Sequence, residues 1–433
     1  MKHMNTASDC CTYLYEQARS APGRNSVIES DGRRVLVVQD WVDADRIMRR
    51  NLANYPKNLH WFVQVAGNSR LTEEGEAWKF RWDLSQPFFS KYDHARGCAV
   101  SLQHAQNMAR HLAASSGRAV LDEGVIHESM LSIFTQMFLE VALQDVPMPH
   151  GNASRLIELA SAFAFKAPGK ERGGYPREHL REILALRKET FAALQSLRGL
   201  PQPAPLLKKL LDAELVEGAD FQFEKELVML FGAGTDTAAY SVGWALHLLA
   251  QYPEVQARLQ RAVDAVYAAH PQGPALAEAL ASCPELKYFI AELLRLYPPL
   301  PFVTRVAKGA DQLSDMAAQP GDVVIVSLVG VNHKGLARTD PWVPDIDAAM
   351  REGIGAGSGT HSSFIWGPRV CGGRDFALLE LSVVLGVLVH ELQCTASSQE
   401  ALAYEWVGQM RRKGGHRVRV APRSTVAPEA HLP

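Results

Sequence analysis

The chain lacks most of the features that would place it outside the ordinary globular proteins. Its 433 residues include only six cysteines, none of them at C-x-x-C spacing, which suits a reducing compartment better than a disulfide scaffold. No apolar run approaches the length of a membrane span, and the first residues do not contain the apolar core of a signal peptide. The sequence therefore predicts a cytoplasmic protein without a membrane anchor.

An excess of one charge is also missing. Lysine and arginine number 45 against 47 aspartates and glutamates, and the formal net charge is −2. A nucleic-acid-binding protein normally carries a basic excess on one face, so we expect no nucleic-acid partner. What the chain does contain is apolar material, because hydrophobic residues make up 47% of it, which is enough for a large core.

Helical periodicity dominates the chain. Apolar residues recur at helical spacing over six stretches, which are 41–52, 97–114, 118–145, 223–251, 284–297 and 374–393. Strands are predicted by β-branched runs at 33–39 and 321–328 and by the C-terminal sequence RVRVAPR. The Gly- and Pro-rich stretch 166–178 could be a mobile lid, and the Gly- and Ser-rich stretch 353–363 shows no periodicity. We expect one domain over residues 1–433, mainly α with a minor β region, with a flexible N-terminus of about 1–10 and a C-terminal tail of about 424–433.

The segment FIWGPRVCGG, from Phe364 to Gly373, carries the strongest chemical signal. A helical pattern follows Cys371 at once, and the positive end of a helix together with backbone N–H groups favours a thiolate. Gly367 and Gly373 would let the backbone approach a flat cofactor, and Arg369 can pair with a carboxylate. A lone cysteine is usually a buried structural thiol, but this surrounding pattern favours a thiolate metal ligand.

A second signal lies within the apolar stretch 223–251, where Ala233 to Thr237 read AGTDT. Glycine and threonine at a helix centre and an acid such as Asp236 in apolar surroundings all cost stability, and such costs tend to mark functional sites. Small residues would let the helix pass close to a cofactor. A threonine hydroxyl that competes for backbone hydrogen bonds could open a local bulge. The alternative is a kinked core helix with one satisfied aspartate.

A third signal is the pair Glu292 and Arg295, which lie three residues apart on an otherwise apolar helix before Pro298 and Pro299. Such a pair can form an ion pair within the helix. By itself it could equally be a surface salt bridge of little worth.

The three signals, in this order along the chain, resemble the motifs of the cytochrome P-450 family. They match its A/G-G-x-D/E-T, E-x-x-R and F-x-x-G-x-R-x-C-x-G sequences, and the resemblance covers essentially the whole chain. It implies the cytochrome P-450 fold, with haem b between a long distal helix and the helix that follows the cysteine loop. Cys371 would be the axial ligand of the haem iron. The other cofactor-binding residues implied are Trp78, Gly234, Arg305, Phe364, Gly367, Arg369 and Gly373.

The resemblance also implies an activity, that of a haem-thiolate monooxygenase. It would use O2 and two electrons to insert one oxygen atom into a small apolar or amphipathic organic substrate, as in specialised metabolism. Asp236 and Thr237 would relay protons during oxygen activation, while Glu292 and Arg295 would be structural. The expected substrate-pocket residues are Phe231, Ala233, Leu300, Phe302, Val303 and Trp406.

The sequence contains no flavin or iron–sulfur module and no dinucleotide fingerprint. Electrons from NAD(P)H would therefore arrive through a separate ferredoxin or flavodoxin and its reductase. Arg351, Arg369 and Arg374 could form part of a docking face for an acidic partner. Two alternatives stay open, a haem isomerase or dehydratase on the same scaffold and a non-catalytic haem- or ligand-binding protein.

Two positions depart from the family pattern. Trp78 matches the family's G-x-x-W helix, but the basic residue expected four positions later is Trp82, and Arg81 comes one residue early, which turns its side chain by about 100°. Near Pro344 the chain lacks the arginine that normally joins the Glu–Arg pair. His333 and Arg351 are the candidates for that third position.

Overall fold

A computed structural model describes residues 6–30, 32–146, 151–161, 177–217, 220–334, 336, 338–355 and 361–423. The C-terminal tail expected at 424–433 and nearly all of the lid expected at 166–178 lie outside these ranges. The first helix begins at Ala7, within the segment expected to be flexible. Thr6 and Asp9 cap it reciprocally, since each side chain accepts a hydrogen bond from the other residue's backbone N–H.

Helices form most of the described chain. The α-helices are α1 (Ala7–Ser20), α2 (Trp41–Asp45), α3 (His60–Ala66), α4 (Gly75–Ser90), α5 (His94–Ala114), α6 (Glu123–Phe134), α7 (Asn152–Ser161), α8 (Arg177–Gln195), α9 (Pro205–Glu214), α10 (Phe223–Phe231), α11 (Thr237–Gln251), α12 (Pro253–Ala269), α13 (Gly273–Ser282), α14 (Pro284–Leu296), α15 (Leu328–His333), α16 (Ile346–Glu352) and α17 (Arg374–Glu391). Single π-helical turns occur at Arg46–Arg50, Thr135–Leu139 and Gly232–Asp236, and short 3₁₀ turns at Leu52–Asn54, Leu143–Asp145, Ser196–Gly199 and Gly367–Arg369.

The strands are short and form one four-stranded sheet and three two-stranded antiparallel sheets. They are β1 (Ser26–Ser30), β2 (Arg33–Val38), β3 (Phe302–Val306), β4 (Asp311–Gln312), β5 (Ala317–Ala318), β6 (Val323–Ser327), β7 (Leu392–Ala396), β8 (Tyr404–Trp406), β9 (Met410–Arg412) and β10 (Val418–Pro422). The four-stranded sheet has the order β1-β2-β6-β3, with β2 parallel to β6 and the other pairs antiparallel. The expectation of a mainly α protein with a minor β region is confirmed.

Most predicted elements are present with small shifts of their ends. The exception is the stretch 118–145, which was expected to be one long helix. It consists of α6, the π-turn Thr135–Leu139 and the 3₁₀ turn Leu143–Asp145. Glu140, which follows the π-turn, has a φ of 56° in the left-handed region. A non-glycine residue in that region stops a right-handed helix, and no apolar periodicity reveals such a stop. Within the described ranges no helix combines the length and the apolar character that a membrane crossing requires.

Two long helices and one strand position the site. The buried helix α17 packs along α5 and against α14, so that its N-terminus is fixed directly after the cysteine loop. The helices α10 and α11 meet at the π-turn Gly232–Asp236, and all residues of α11 from Ala238 to Ala250 are buried. The strand β3 follows Pro298 and Pro299, which end α14, and pairs with β6.

Candidate active site

A largely apolar cavity of about 390 Å³ lies between α10, α11, β3 and the start of α17. Cys371 and Thr237 both line it. Of the six cysteines, all of which are in the described part of the chain, Cys371 is the one that is exposed, and the other five are buried and unpaired. The thiol therefore opens into an internal space rather than serving as core packing.

The loop before Cys371 has an unusual backbone. Gly367 has a φ of 73°, and an added Cβ there would lie 3.0 Å from the Met48 carbonyl oxygen, so the position needs glycine. Ile365, a β-branched residue, has a φ of 59°. The Cys371 N–H donates to the Phe364 carbonyl at 2.9 Å, which closes the loop.

The electrostatics at the sulfur combine two opposing effects. The Cys371 thiol is exposed only to the enclosed cavity, and this burial away from bulk water raises its pKa. A hydrogen bond from the Gly373 backbone N–H opposes that rise. The first turn of α17 begins at the next residue, so its positive end faces the same loop. An added Cβ at Gly373 would meet nothing within 4 Å, which leaves this side of the loop open to the cavity.

A cluster of cations forms one wall of the cavity. Arg305 and Arg369 belong to it as expected, and Lys57 joins them from the segment before α3. The Lys57 ammonium donates to the Glu73 carbonyl at 2.9 Å, and Arg369 pairs with Glu74. Burial lowers the pKa of Lys57 to about 7 and that of Arg305 to about 10. Sequence reasoning missed Lys57, because a lysine before a short helix carries no motif.

This wall of the cavity can bind an anion. Nε of Arg305 and both Nε and Nη1 of Arg369 are buried without a hydrogen-bond partner. The Arg369 guanidinium lies 3.5 Å from the centre of the Trp78 ring, which holds it flat against the cavity. Buried donors without partners are costly unless a ligand satisfies them. The positive charges of the three cations exceed the one negative charge of Glu74 by two, which matches the two propionates of a haem. The residues present therefore fit that group.

The opposite wall contains the π-turn Gly232–Asp236, which is the local bulge expected from the threonines. The Thr237 hydroxyl donates to the Ala233 carbonyl at 3.0 Å, and both residues line the cavity. Gly234 also lines it, but an added Cβ would lie 2.7 Å from the Phe134 ring. Its lack of a side chain therefore serves helix packing as well as the cavity. Asp236 is buried outside the lining, and its Oδ1 lies 3.4 Å from Nδ1 of His127.

Five of the six expected substrate-pocket residues line the cavity, namely Ala233, Leu300, Phe302, Val303 and Trp406. Phe231 does not. It is 2% exposed and packs on Phe134 with ring centres 5.4 Å apart, so the expectation for this residue was wrong. The π-turn inserts an extra residue and changes which face of α10 meets the cavity, and Met229 and Leu230 contribute instead.

The ion pair of α14 is buried rather than exposed. The Glu292 and Arg295 side chains are 0% and 1% exposed, and two hydrogen bonds of 2.9 and 2.8 Å join them. The third member is Arg338, whose Nη1 donates to Oε2 of Glu292 at 2.6 Å. The candidates His333 and Arg351 were wrong: His333 stacks on Trp342, and Arg351 is exposed on α16.

The two uncertain residues of α4 have different places. Arg81 is 4% exposed and lies 3.6 Å from Glu226, and it does not line the cavity. The one-residue offset in the sequence thus turns it away from the cation wall, as its helical position indicated. Trp82 lines the cavity next to Trp78, with ring centres 6.1 Å apart.

Comparison with known proteins decides the family. Residues 173–416, more than half of the chain, match the family described as Cytochrome P450. The chain belongs to the cytochrome P450 family. Cytochrome P450 4F12 of Homo sapiens is 32% identical over 220 residues, which are 50% of this chain and 41% of that protein. The 11-oxo-beta-amyrin 30-oxidase of Glycyrrhiza uralensis is 33% identical over 172 residues, 38% of this chain and 32% of that protein.

The match therefore spans less than half of the length of these curated relatives. A solved structure covers more, since the cytochrome P450DA heme domain superposes on 95% of this chain and 93% of its own with a TM-score of 0.75 and 17% identity. That likeness confirms the expected fold. Membership of the cytochrome P450 family confirms haem b as the cofactor.

Proposed function

We propose that this cytochrome P450 is a haem-thiolate monooxygenase, which inserts one oxygen atom from O2 into a small apolar or amphipathic organic substrate. The observation that carries the proposal is that Cys371, the one exposed cysteine among six, shares an apolar cavity with Thr237 at a π-turn. When bound, haem with a thiolate ligand supplies the redox chemistry that activates dioxygen.

The chain's own residues have three tasks in this proposal. Arg305, Arg369 and Lys57 would hold the propionates of the cofactor in the cavity that Cys371 also lines. The apolar lining excludes water and orients the substrate. Thr237 and Asp236 supply protons, since Thr237 lines the cavity and the buried Asp236 lies behind it.

The proposed substrate class rests on the character of the cavity. Phe302 and Trp406 pack together with ring centres 5.0 Å apart and face the space above the cysteine loop. Relatives of this chain include proteins named 11-oxo-beta-amyrin 30-oxidase and, in Mus musculus, Leukotriene-B4 omega-hydroxylase 3, names that denote oxidation of an organic compound. We propose a substrate of that general kind, with most of its surface apolar.

Thr237 favours monooxygenation over the two alternatives. An isomerase or dehydratase that works on an already oxidised substrate needs neither electrons nor a proton relay, and a binding protein needs no opened helix. Here Thr237 lines the cavity and directly follows a π-turn that costs helical hydrogen bonds, and its hydroxyl donates to the Ala233 carbonyl within that turn. A costly local feature at the chemical centre supports a catalytic role.

Electrons would come from NAD(P)H through a separate ferredoxin or flavodoxin with its reductase. Arg351 and Arg374 are on the surface and are proposed for the docking face of such an acidic partner. Arg369 is excluded from that face, because it is 10% exposed and is directed toward Glu74 and Trp78. A reducing, cytoplasmic location is part of the proposal, on the basis of the unpaired cysteines.

The test is the absorption spectrum of the haem-loaded, dithionite-reduced protein with and without carbon monoxide. We expect the long-wavelength Soret band of thiolate ligation in the wild type and its loss in Cys371→Ser. Cys98→Ser, at a buried cysteine of α5 outside the cavity, is the matched control and should keep the band. A short-wavelength band in the wild type, or full substrate oxidation by Cys371→Ser, would overturn the proposal.

A further inference from the structure

A polar contact joins α6 to the π-turn between α10 and α11, and neither of its two residues lines the cavity. Nδ1 of His127, on α6, lies 3.4 Å from Oδ1 of Asp236. The two side chains differ in exposure, since 27% of the His127 side chain is exposed and only 6% of the Asp236 side chain. The imidazole therefore stands between the buried carboxylate and solvent.

Asp236 lies between His127 and the residue that lines the cavity, so its contact with His127 bears on the chemistry there. Its neighbour Thr237 lines the cavity, whereas Asp236 lies behind the lining at the end of the π-turn. Thr237, which lines the cavity, and Asp236, which contacts His127, are adjacent in the sequence. A proton that enters from solvent through His127 passes to Asp236, whose neighbour in the chain, Thr237, lines the cavity.

The surroundings of His127 are crowded and ionisable. The His127 and Tyr240 rings form a T-shaped pair with centres 4.7 Å apart. Burial raises the pKa of Tyr240, and burial also raises that of Glu123, one turn before His127 on α6. The titratable or charged groups that face the imidazole are Glu123, Asp236 and Tyr240. Glu405, Arg411 and His416 lie around Glu123.

We infer that His127 is a positioning residue for Asp236, which holds the carboxylate behind the cavity lining and reloads it with protons from solvent. A proton on Nδ1 of His127 passes to Oδ1 of Asp236 and is replaced by a proton from the solvent, and His127 acts on the reaction only through Asp236. This inference rests on the proposed monooxygenase function and adds a proton entry to it.

The inference predicts a pH dependence of a defined sign. A protonated imidazole supplies protons, and a neutral one does not. Dioxygen that receives two electrons and two protons leaves as hydrogen peroxide, and with four of each it leaves as water. The ratio of water to peroxide should therefore be high at low pH and fall as the pH rises.

The experiment uses haem-loaded protein, a ferredoxin with its NADPH-dependent reductase, and no added organic substrate. NADPH oxidation, oxygen uptake and peroxide are measured between about pH 5.5 and 8, the range in which histidine titrates. In His127→Gln we expect the water-to-peroxide ratio at low pH to fall about tenfold and to become independent of pH. His127→Lys keeps a proton donor over this range and should keep the high ratio at pH 8. His111→Gln, at an exposed histidine of α5, is the matched control.

Each result decides the matter. A pH profile of His127→Gln that superimposes on the wild type would overturn the inference while leaving the monooxygenase proposal intact. The same holds if His127→Lys behaves as the glutamine variant does. If the wild type itself reduces no oxygen although it shows the thiolate spectrum, the proposed function fails and the inference fails with it.

Discussion

The Arg338 guanidinium donates to Oε2 of Glu292 at 2.6 Å, 46 residues along the chain from it. Glu292 thus receives two arginines and the backbone N–H of Asp345. Burial alone would raise the pKa of Glu292, but these hydrogen bonds and charges hold it below its ordinary value. The carboxylate is therefore ionised and fully buried, and its stability depends on all its partners.

Removing Arg338 should destabilise the protein strongly. In Arg338→Ala the Glu292 charge loses a buried partner, and we expect the free energy of unfolding to fall by about 3 kcal/mol. Urea unfolding of the haem-loaded protein measures this. Arg351→Ala, on the surface of α16, is the control and should change stability by less than about 0.5 kcal/mol. Equal effects of the two substitutions would contradict the role given to Arg338.

Four buried histidines should make the protein sensitive to acid. Burial lowers the pKa of His333 to about 3, of His247 and His361 to about 4, and that of His416 well below its ordinary value. The unfolded chain binds these protons below about pH 6.5 and the folded chain does not. Each group therefore lowers stability by about 1.4 kcal/mol per pH unit as pH falls from there toward its folded pKa.

His416→Leu tests this linkage, because both ring nitrogens of His416 lack hydrogen-bond partners, so that no hydrogen bond of the ring would be lost. Unfolding free energies measured from pH 7 to 5 should fall less steeply in this variant, by about one proton, or about 1.4 kcal/mol per pH unit. His111→Gln, at an exposed histidine, should leave the slope as it is in the wild type. An unchanged slope in His416→Leu would contradict the assignment of a neutral, buried imidazole.

Lys57 should contribute to cofactor affinity. A charge-assisted hydrogen bond to a propionate is worth about 1.5–3 kcal/mol, so Lys57→Met should release haem about 10- to 100-fold more readily. Transfer of haem to an excess of a haem-scavenging protein measures this. Lys79→Met, at an exposed lysine of α4 that pairs with Asp83, is the matched control. If both variants keep haem equally well, Lys57 does not bind the propionates.

Thr237 and Thr235 form a natural comparison within one turn. Each hydroxyl donates to a backbone carbonyl of its own helix, but only Thr237 lines the cavity. We expect Thr237→Ala to keep NADPH oxidation while most of the electrons appear as peroxide instead of oxidised substrate. Thr235→Ala should keep the partition of the wild type, although it removes a buried hydrogen bond worth about 1 kcal/mol. Unchanged coupling in Thr237→Ala would refute the proton-relay role.

The sequence predicted those parts of the site whose residues are close together along the chain. The cysteine loop, the bulge near Thr237 and the strand β3 each depend on residues within one turn or one strand. Arg338 could not be found in this way, because its partner Glu292 is distant in sequence and no spacing links them. Lys57 and His127 were missed for the same reason, since tertiary packing alone brings them to the cavity and to Asp236.

Phe231 shows a different limit. Helical periodicity assigns side chains to faces on the assumption that every turn contains the same number of residues. The π-turn after Phe231 breaks that assumption, so a face extrapolated across it is wrong even when the bulge itself is foreseen.

The left-handed backbone at Ile365 has a consequence for the order of assembly. A β-branched residue in that conformation costs about 1–3 kcal/mol and persists only where the surroundings over-determine it. Here those surroundings are the Trp41 and Trp366 rings, whose centres lie 4.8 Å apart, and the hydrogen bond from Trp366 to Asp45. All of them belong to the polypeptide. The cysteine loop should therefore take its final shape only once Trp41 and Asp45 have packed against it.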